Sequence, residues 1–116
     1  MRTIIAGSRS ITDLAVVEKA VKDSGFAITE VVSGGARGVD RLGEKLANDC
    51  GLPCAVFPAE WKRYGKRAGF LRNSQMAEYA EALVAVWDGK SRGTAHMVSE
   101  AKDRGLRVYI HREEDE

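Results

Sequence analysis

No apolar run in this 116-residue chain is long enough to cross a bilayer: the longest, Ala82 to Trp87, falls far short of the roughly 20 residues a spanning helix needs. Nor is there an apolar leader, since Met1-Arg2 passes directly into Thr3-Ile4-Ile5-Ala6. A cytoplasmic protein is therefore expected, with no membrane partner. Cysteine is scarce as well. Cys50 and Cys54 are too few for a disulfide framework, and with no CxxC pair or nearby histidine they offer no metal site; both are expected as buried thiols. An excess of one charge is also missing, with 18 Lys and Arg against 17 Asp and Glu. Four of those acids are the last four residues, so positions 1–112 carry 18 bases and 13 acids. That mildly basic body suits an anionic ligand but lacks the strong footprint of a dedicated DNA binder.

What the chain does have is 44% apolar and 30% charged residues, the balance of a folded globule, and a length that suits one domain. We expect a domain over 1–112 and a solvated acidic tail over 113–116. Short β-branched runs alternate with longer segments at helical spacing throughout. Thr3 to Ala6 reads as a first strand. Leu14, Val17, Ala20 and Val21 form the stripe of a first helix, capped by Thr12 or Asp13 and closed near Gly25. Glu30 to Ser33 is a second strand, and a second helix runs from about Gly38 to Asp49, ended by Gly51 and Pro53. Cys54 to Phe57 is a third strand, followed by a basic and aromatic connection and a third helix from about Gly69 to Ala80. Leu83 to Trp87, a fourth helix carrying Met97, Val98 and Ala101, and Arg107 to His111 complete the pattern. It predicts an α/β fold: a three-layer domain around a five-stranded parallel sheet in the order 3-2-1-4-5, with the uncharged strands 1 and 4 central.

In that order the direction of winding reverses between strands 1 and 4, and ligands in open α/β sheets gather at the carboxyl ends of strands where this happens. Three loops share the edge: Gly7-Ser8-Arg9, Gly34-Gly35-Ala36-Arg37-Gly38, and Asp88 to Thr94. Glycines at a strand-to-helix handover let bare backbone and helix N-terminal N–H groups approach an anion, so Gly34, Gly35, Gly38, Gly93 and Thr94 are expected to contact phosphate. Ser8 offers a further donor, and Arg9, Arg37 and Arg72 the positive charge. Asp40 and Asp88 are candidates for ribose hydroxyls, and Trp61 or Tyr64 for the base or sugar. Two familiar phosphate loops are excluded. Gly89-Lys90-Ser91 has Val84, inside a strand, where a Walker A loop needs its first glycine, and Gly7-Ser8-Arg9-Ser10 lacks the second and third glycines of a dinucleotide fingerprint. Between Trp61 and Ala77 there are five bases and no acid, interleaved with Trp61, Tyr64 and Phe70. That composition suits either phosphate grip with base stacking, on a free nucleotide or a single strand, or a solvated loop anchored by its aromatics.

Taken together, Gly7-Ser8-Arg9 with Asp13, Ser33-Gly34-Gly35-Ala36-Arg37-Gly38-Val39-Asp40, Pro58-Ala59-x-Trp61, Tyr64-Gly65, Ala68-Gly69, Arg72-Asn73 with Met76, and Ser91-x-Gly93-Thr94 resemble the SLOG superfamily of Rossmann-like proteins. That group takes in DprA/Smf and the LOG phosphoribohydrolases, and the resemblance is strongest to its small stand-alone YspA/YpsA-related branch. It implies a Rossmann-like nucleotide-binding domain, with Gly7 and Asn73 added to the ligand contacts. No cofactor is required; a nucleotide-derived ligand is expected, and pairing into a homodimer or larger homo-oligomer through the third-helix face with Met76 and Tyr79. LOG enzymes cleave base from ribose 5′-monophosphate with an arginine, matched here by Arg72, and a glutamate whose position holds Met97. Glu100, one turn on, and His96 and Asp40 are the remaining candidates for acid–base work. Three readings stay open: nucleotide binding, LOG-type hydrolysis, and DprA-like holding of single-stranded DNA.

Overall fold

A computed structural model describes residues 1–113. Five parallel strands, β1 (Arg2–Gly7), β2 (Glu30–Ser33), β3 (Cys54–Val56), β4 (Ala82–Trp87) and β5 (Arg107–Arg112), stand in the order β3-β2-β1-β4-β5. The predicted order and three-layer arrangement are the ones found. Alternation along the strands explains the layers. Ile4, Ala6, Val32, Leu83 and Ala85 face one side and pack on α4 (Ala68–Tyr79) and α5 (Arg92–Asp103). Ile5, Val31, Val84 and Val86 face the other and meet α1 (Leu14–Ser24) and α2 (Val39–Asp49). Apart from the exposed Arg2 that opens β1, β1 and β4 are buried on both faces, as central strands of a parallel sheet are.

Helix ends follow local chemistry. The Asp13 side chain accepts the Ala15 N–H at 3.0 Å to start α1, and Gly25 closes it in the left-handed region at φ 70°. Ser91 caps α5 through the Thr94 N–H at 3.3 Å.

Three expectations are corrected. The basic aromatic connection is not an open loop: Trp61–Tyr64 forms a short helix, α3, and Gly65–Arg67 a 3₁₀ turn that runs straight into α4. One turn of helix is too short to show a 3.6-residue period. Both cysteines are exposed, because Cys50 ends α2 and Cys54 opens the three-residue edge strand β3. Met76 is buried in this chain's own core, and the Tyr79 hydroxyl bonds Glu30 while its ring packs on Phe57. Met76 is therefore not available to a second copy, while Tyr79 is half-buried, and Phe70 and Leu71 are the large apolar side chains that α4 exposes. Of the acidic tail, Glu113 prolongs the sheet by donating its N–H to the Trp87 carbonyl at 2.9 Å, and 114–116 lie outside the described residues. Among the described residues no helix is long and apolar enough to cross a membrane.

Candidate functional site

Ser8 is the clasp that gathers the three loops. Its N–H donates to the Val86 carbonyl at 3.0 Å, its hydroxyl accepts the Asp88 N–H at 3.0 Å, and its carbonyl accepts the Val39 N–H at 3.4 Å. The hydroxyl expected to greet a ligand is instead buried with Ser8 and turned to the Asp88 backbone. Gly7 and Gly38 serve the same end. A Cβ on Gly7 would overlap the Val86 carbonyl oxygen, and one on Gly38 would lie 2.6 Å from Arg9 Cα. These two glycines let backbones touch each other rather than a ligand.

Above the clasp lies a cleft of about 410 Å³ whose walls include Gly7, Arg9, Asp40, Arg72, Asp88 and Gly93. One side of it is the start of α5. Helix geometry leaves the Arg92 and Gly93 N–H groups without intrahelical acceptors, while Ser91 occupies that of Thr94. Thr94 is buried and its hydroxyl donates to Ser91 Oγ at 3.1 Å, so it shapes the cap and is not a free donor. Asp88 shapes the loop too. It accepts the Lys90 and Ser91 N–H groups at 2.8 and 2.9 Å, and these bonds hold its carboxyl below the usual range. A Cβ on Gly93 would meet nothing within 4 Å, so that glycine borders open space. The cleft floor is Met76 and Met97, both buried and incapable of proton transfer.

The glycine loop after β2 differs from expectation in one chemical respect: an internal carboxylate already sits at its donors. The Gly35 N–H goes to Ser33 Oγ at 3.1 Å and the Ala36 N–H to Asp40 Oδ2 at 3.3 Å. Asp40 is 5% exposed, and burial pushes its carboxyl from 3.8 up to about 6, against the opposing pull of Arg72 and of the Ala36 and Gly7 backbone. Arg72 reaches in from α4, donating Nη1–H to the Gly34 carbonyl at 2.5 Å. A Cβ on Gly34 would lie 2.6 Å from that nitrogen and 2.8 Å from Asp40 Oδ2, so a side chain there would displace the Arg72 guanidinium or the Asp40 carboxyl. Burial lowers the Arg72 pKa, Asp40 opposes the fall, and Arg9 adds to it.

Because the folded protein holds the Asp40 proton more tightly than the unfolded chain between pH 3.8 and about 6, stability falls as pH rises through that window. At roughly 1.36 kcal/mol per pH unit the full penalty above it is about 3 kcal/mol. We expect Asp40→Asn to be more stable than the parent by about 1–2 kcal/mol at pH 7.5, after about 1 kcal/mol for one lost backbone acceptor. The advantage should vanish near pH 4. Urea melts at both pH values check this, and an equal difference at each would contradict it.

A second cleft of about 500 Å³ adjoins the first and shares Arg9, Ala36 and Arg72 with it. Gly34, Gly35, Arg37 and Trp61 line it, the last 52% exposed, together with Arg41 and Glu44. Arg41 was missed in the sequence, although its i, i+4 spacing from Arg37 across the helix start was a usable signal. Glu44 is engaged by the Ser33 hydroxyl at 2.7 Å. Tyr64, Gly38, His96 and Glu100 line neither cleft. His96 stacks on Phe70, and Glu100 takes the Ser74 hydroxyl and lies 4.0 Å from Arg104, so α5 does not turn Glu100 toward the position of Met97. Among the described residues no three His, Cys, Asp or Glu side chains cluster as a metal would need.

Residues 1–64, which carry the Gly7-Ser8-Arg9 clasp and the glycine loop, match the profile of the YAcAr family, described as YspA, cpYpsA-related SLOG. The chain belongs to this SLOG family. It is similar to the Gene 61 protein of Mycobacterium phage D29, 34% identical over 117 residues that take in 92% of this chain and 93% of that one. The SLOG fold is shared with DNA processing protein A (DprA) from Streptococcus pneumoniae, at a TM-score of 0.74 and 18% identity over 94% of this chain. This chain spans about half of that one, 49%. The SLOG profile stops short of Arg72 and the α5 loop, so more than half of the residues lining the cleft come from outside the matched segment.

Proposed function

We propose that this SLOG protein binds a nucleotide or nucleotide-derived ligand, with its anionic group between Arg9, Arg72 and the N-terminus of α5. The observation that carries this reading is electrostatic. Arg72 is held out of water and repelled by Arg9, and the charge that opposes this, the buried Asp40 carboxylate, is itself costly to keep ionised. A phosphate beside both guanidiniums and the open Arg92 and Gly93 N–H groups would satisfy four sets of donors at once. Trp61 then offers its exposed ring to the base or sugar, and the Asp40 and Asp88 carboxylates border the same cleft for ribose hydroxyls. Binding rather than turnover is supported: the position of the LOG glutamate is the buried Met97, and Glu100 is committed to Ser74. Incubation with nucleoside monophosphates should therefore release no free base.

Isothermal titration with adenosine 5′-monophosphate tests the reading. Gly93→Val adds side chain where the free protein has open space, so we expect folding stability within about 1 kcal/mol of the parent and affinity lower by about tenfold or more. Unchanged affinity would place the ligand elsewhere. A second reading, single-stranded nucleic acid, is favoured by exposed Trp61 and Phe70 among Lys62, Arg63, Lys66 and Arg67, and by the fold shared with a DNA processing protein. Gel shifts at two salt concentrations separate it, because phosphate-driven binding weakens steeply as salt rises.

A further inference from the structure

Arg72 is held by a chain of hydrogen bonds that ends on a histidine outside the cleft. Its Nε–H donates to Asn73 Oδ1 at 3.0 Å, and Asn73 Nδ2 donates to the Gly93 carbonyl at 3.2 Å and faces His96 Nδ1 at 3.1 Å. An amide oriented by an arginine has only donors left on its nitrogen side, so His96 Nδ1 must accept and the imidazole must carry its proton on Nε2. Phe70 fixes the ring by stacking at 4.2 Å between centroids and 20° between planes. One amide thus joins both halves of the anion site, the Arg72 guanidinium and the Gly93 backbone.

We propose that His96 is a positioning residue of the cleft: in its neutral, Nε2–H form it locks the Asn73 amide, and through it Arg72 and the α5 loop, in the arrangement that receives the anion. The inference rests on the function proposed above. Protonation of Nδ1 sets donor against donor. If the amide turns over to relieve this, its nitrogen meets Arg72 Nε–H and its oxygen meets the Gly93 carbonyl, so both tethers break together. Acidification therefore weakens anion binding although it adds a positive charge nearby, the reverse of what simple attraction predicts. Other charges facing this group are Glu100, 3.9 Å from His96 Nε2, with Arg104 behind it on α5, Arg72 on α4, and Asp40 on α2 beyond Arg72. Asp40 acts in the opposite sense, since its protonation removes a negative charge beside the anion. Comparing variants that all retain Asp40 isolates the histidine.

The test uses the full chain with sulfate, whose charge is constant over the range, and nuclear magnetic resonance of the Arg72 Nε–H. Imidazoles change charge between about pH 5 and 8. In the parent, the Arg72 Nε–H signal should be protected at pH 8 and lost with the same midpoint as the His96 ring, while sulfate affinity falls about tenfold, the order a lost charge-assisted hydrogen bond carries. His96→Asn keeps an acceptor near the Nδ1 position without titrating and should retain both signal and affinity at low pH; His96→Leu should lose both at every pH. An Arg72 signal that persists through the His96 titration, or affinity that rises on acidification of the parent by more than it does in His96→Asn, overturns the proposal. Failure of the parent to bind sulfate or adenosine 5′-monophosphate at any pH would instead sink the proposed function, and the resonance measurement on the free protein would still decide the role of His96.

Discussion

Arg72→Ala is expected to lower the affinity for adenosine 5′-monophosphate by about a hundredfold, near 3 kcal/mol, and to lower folding stability by more at pH 7.5 than at pH 5. The loss is large because a guanidinium held out of water beside a second arginine contributes charge-assisted bonds, each worth roughly 1.5–3 kcal/mol. The folding cost depends on pH for a separate reason. Arg72 gives up hydrogen bonds to the Gly34 carbonyl and to Asn73 Oδ1 and leaves the buried Asp40 carboxylate without its opposing charge, losses only partly offset because the chain no longer bears the desolvation of a buried cation. A second consequence is specific to this geometry. Arg72 opposes the rise of the Asp40 pKa, so its removal should carry the Asp40 titration above about 6. Calorimetry gives the affinity, and the carboxyl resonance of Asp40 gives the titration. Unchanged affinity together with an unshifted Asp40 would remove Arg72 from the site.

Gly7→Ala is expected to lower stability by about 4 kcal/mol or more, which in a domain of this size is on the order of 15 °C in Tm or outright failure to fold. Gly7 pairs with Val86 in the central β1–β4 ladder, and its Cβ would overlap the Val86 carbonyl while lying 2.8 Å from Val39 Cγ2. Neither neighbour can yield, since the carbonyl is backbone and Val39 is fully buried at the start of α2. The Val86 carbonyl also accepts the Ser8 N–H, so moving it opens the clasp joining all three loops. Thermal melts of Gly7→Ala beside Gly93→Val check the contrast. If both variants melt with the parent, the division of the glycines into those that pack and those that border ligand space is wrong.

Several features were legible in the sequence because their cause is local. Short apolar, β-branched runs such as Thr3 to Ala6 and Leu83 to Trp87, helical spacing in Val39, Leu42 and Leu46, and caps such as Asp13 and Gly25 each depend on residues a few positions apart. Short right-handed connections then leave few orders for five parallel strands, which is why the loop edge was identifiable in advance. The Trp61–Tyr64 turn was not, being shorter than the period that would betray it. The exposure of Cys50 and Cys54 was not either: one falls at the end of α2 and the other at the first residue of β3, and a small apolar side chain does not itself encode whether its own position is covered.

The sequence by itself determined the layers, the strand order and the gathering of three glycine-bearing loops at one edge. Only the tertiary structure decided what each loop residue does there. Gly7 and Gly38 serve backbone contact and Gly93 borders open space, a difference made by neighbours that composition cannot name. Asp40 occupies the donors of the glycine loop, Arg72 closes on a carbonyl 38 residues away, and Asn73 meets a histidine 23 residues away. Hydrogen bonds of that span depend on how two helices are set against one sheet, and no local pattern of residues encodes the distance between them.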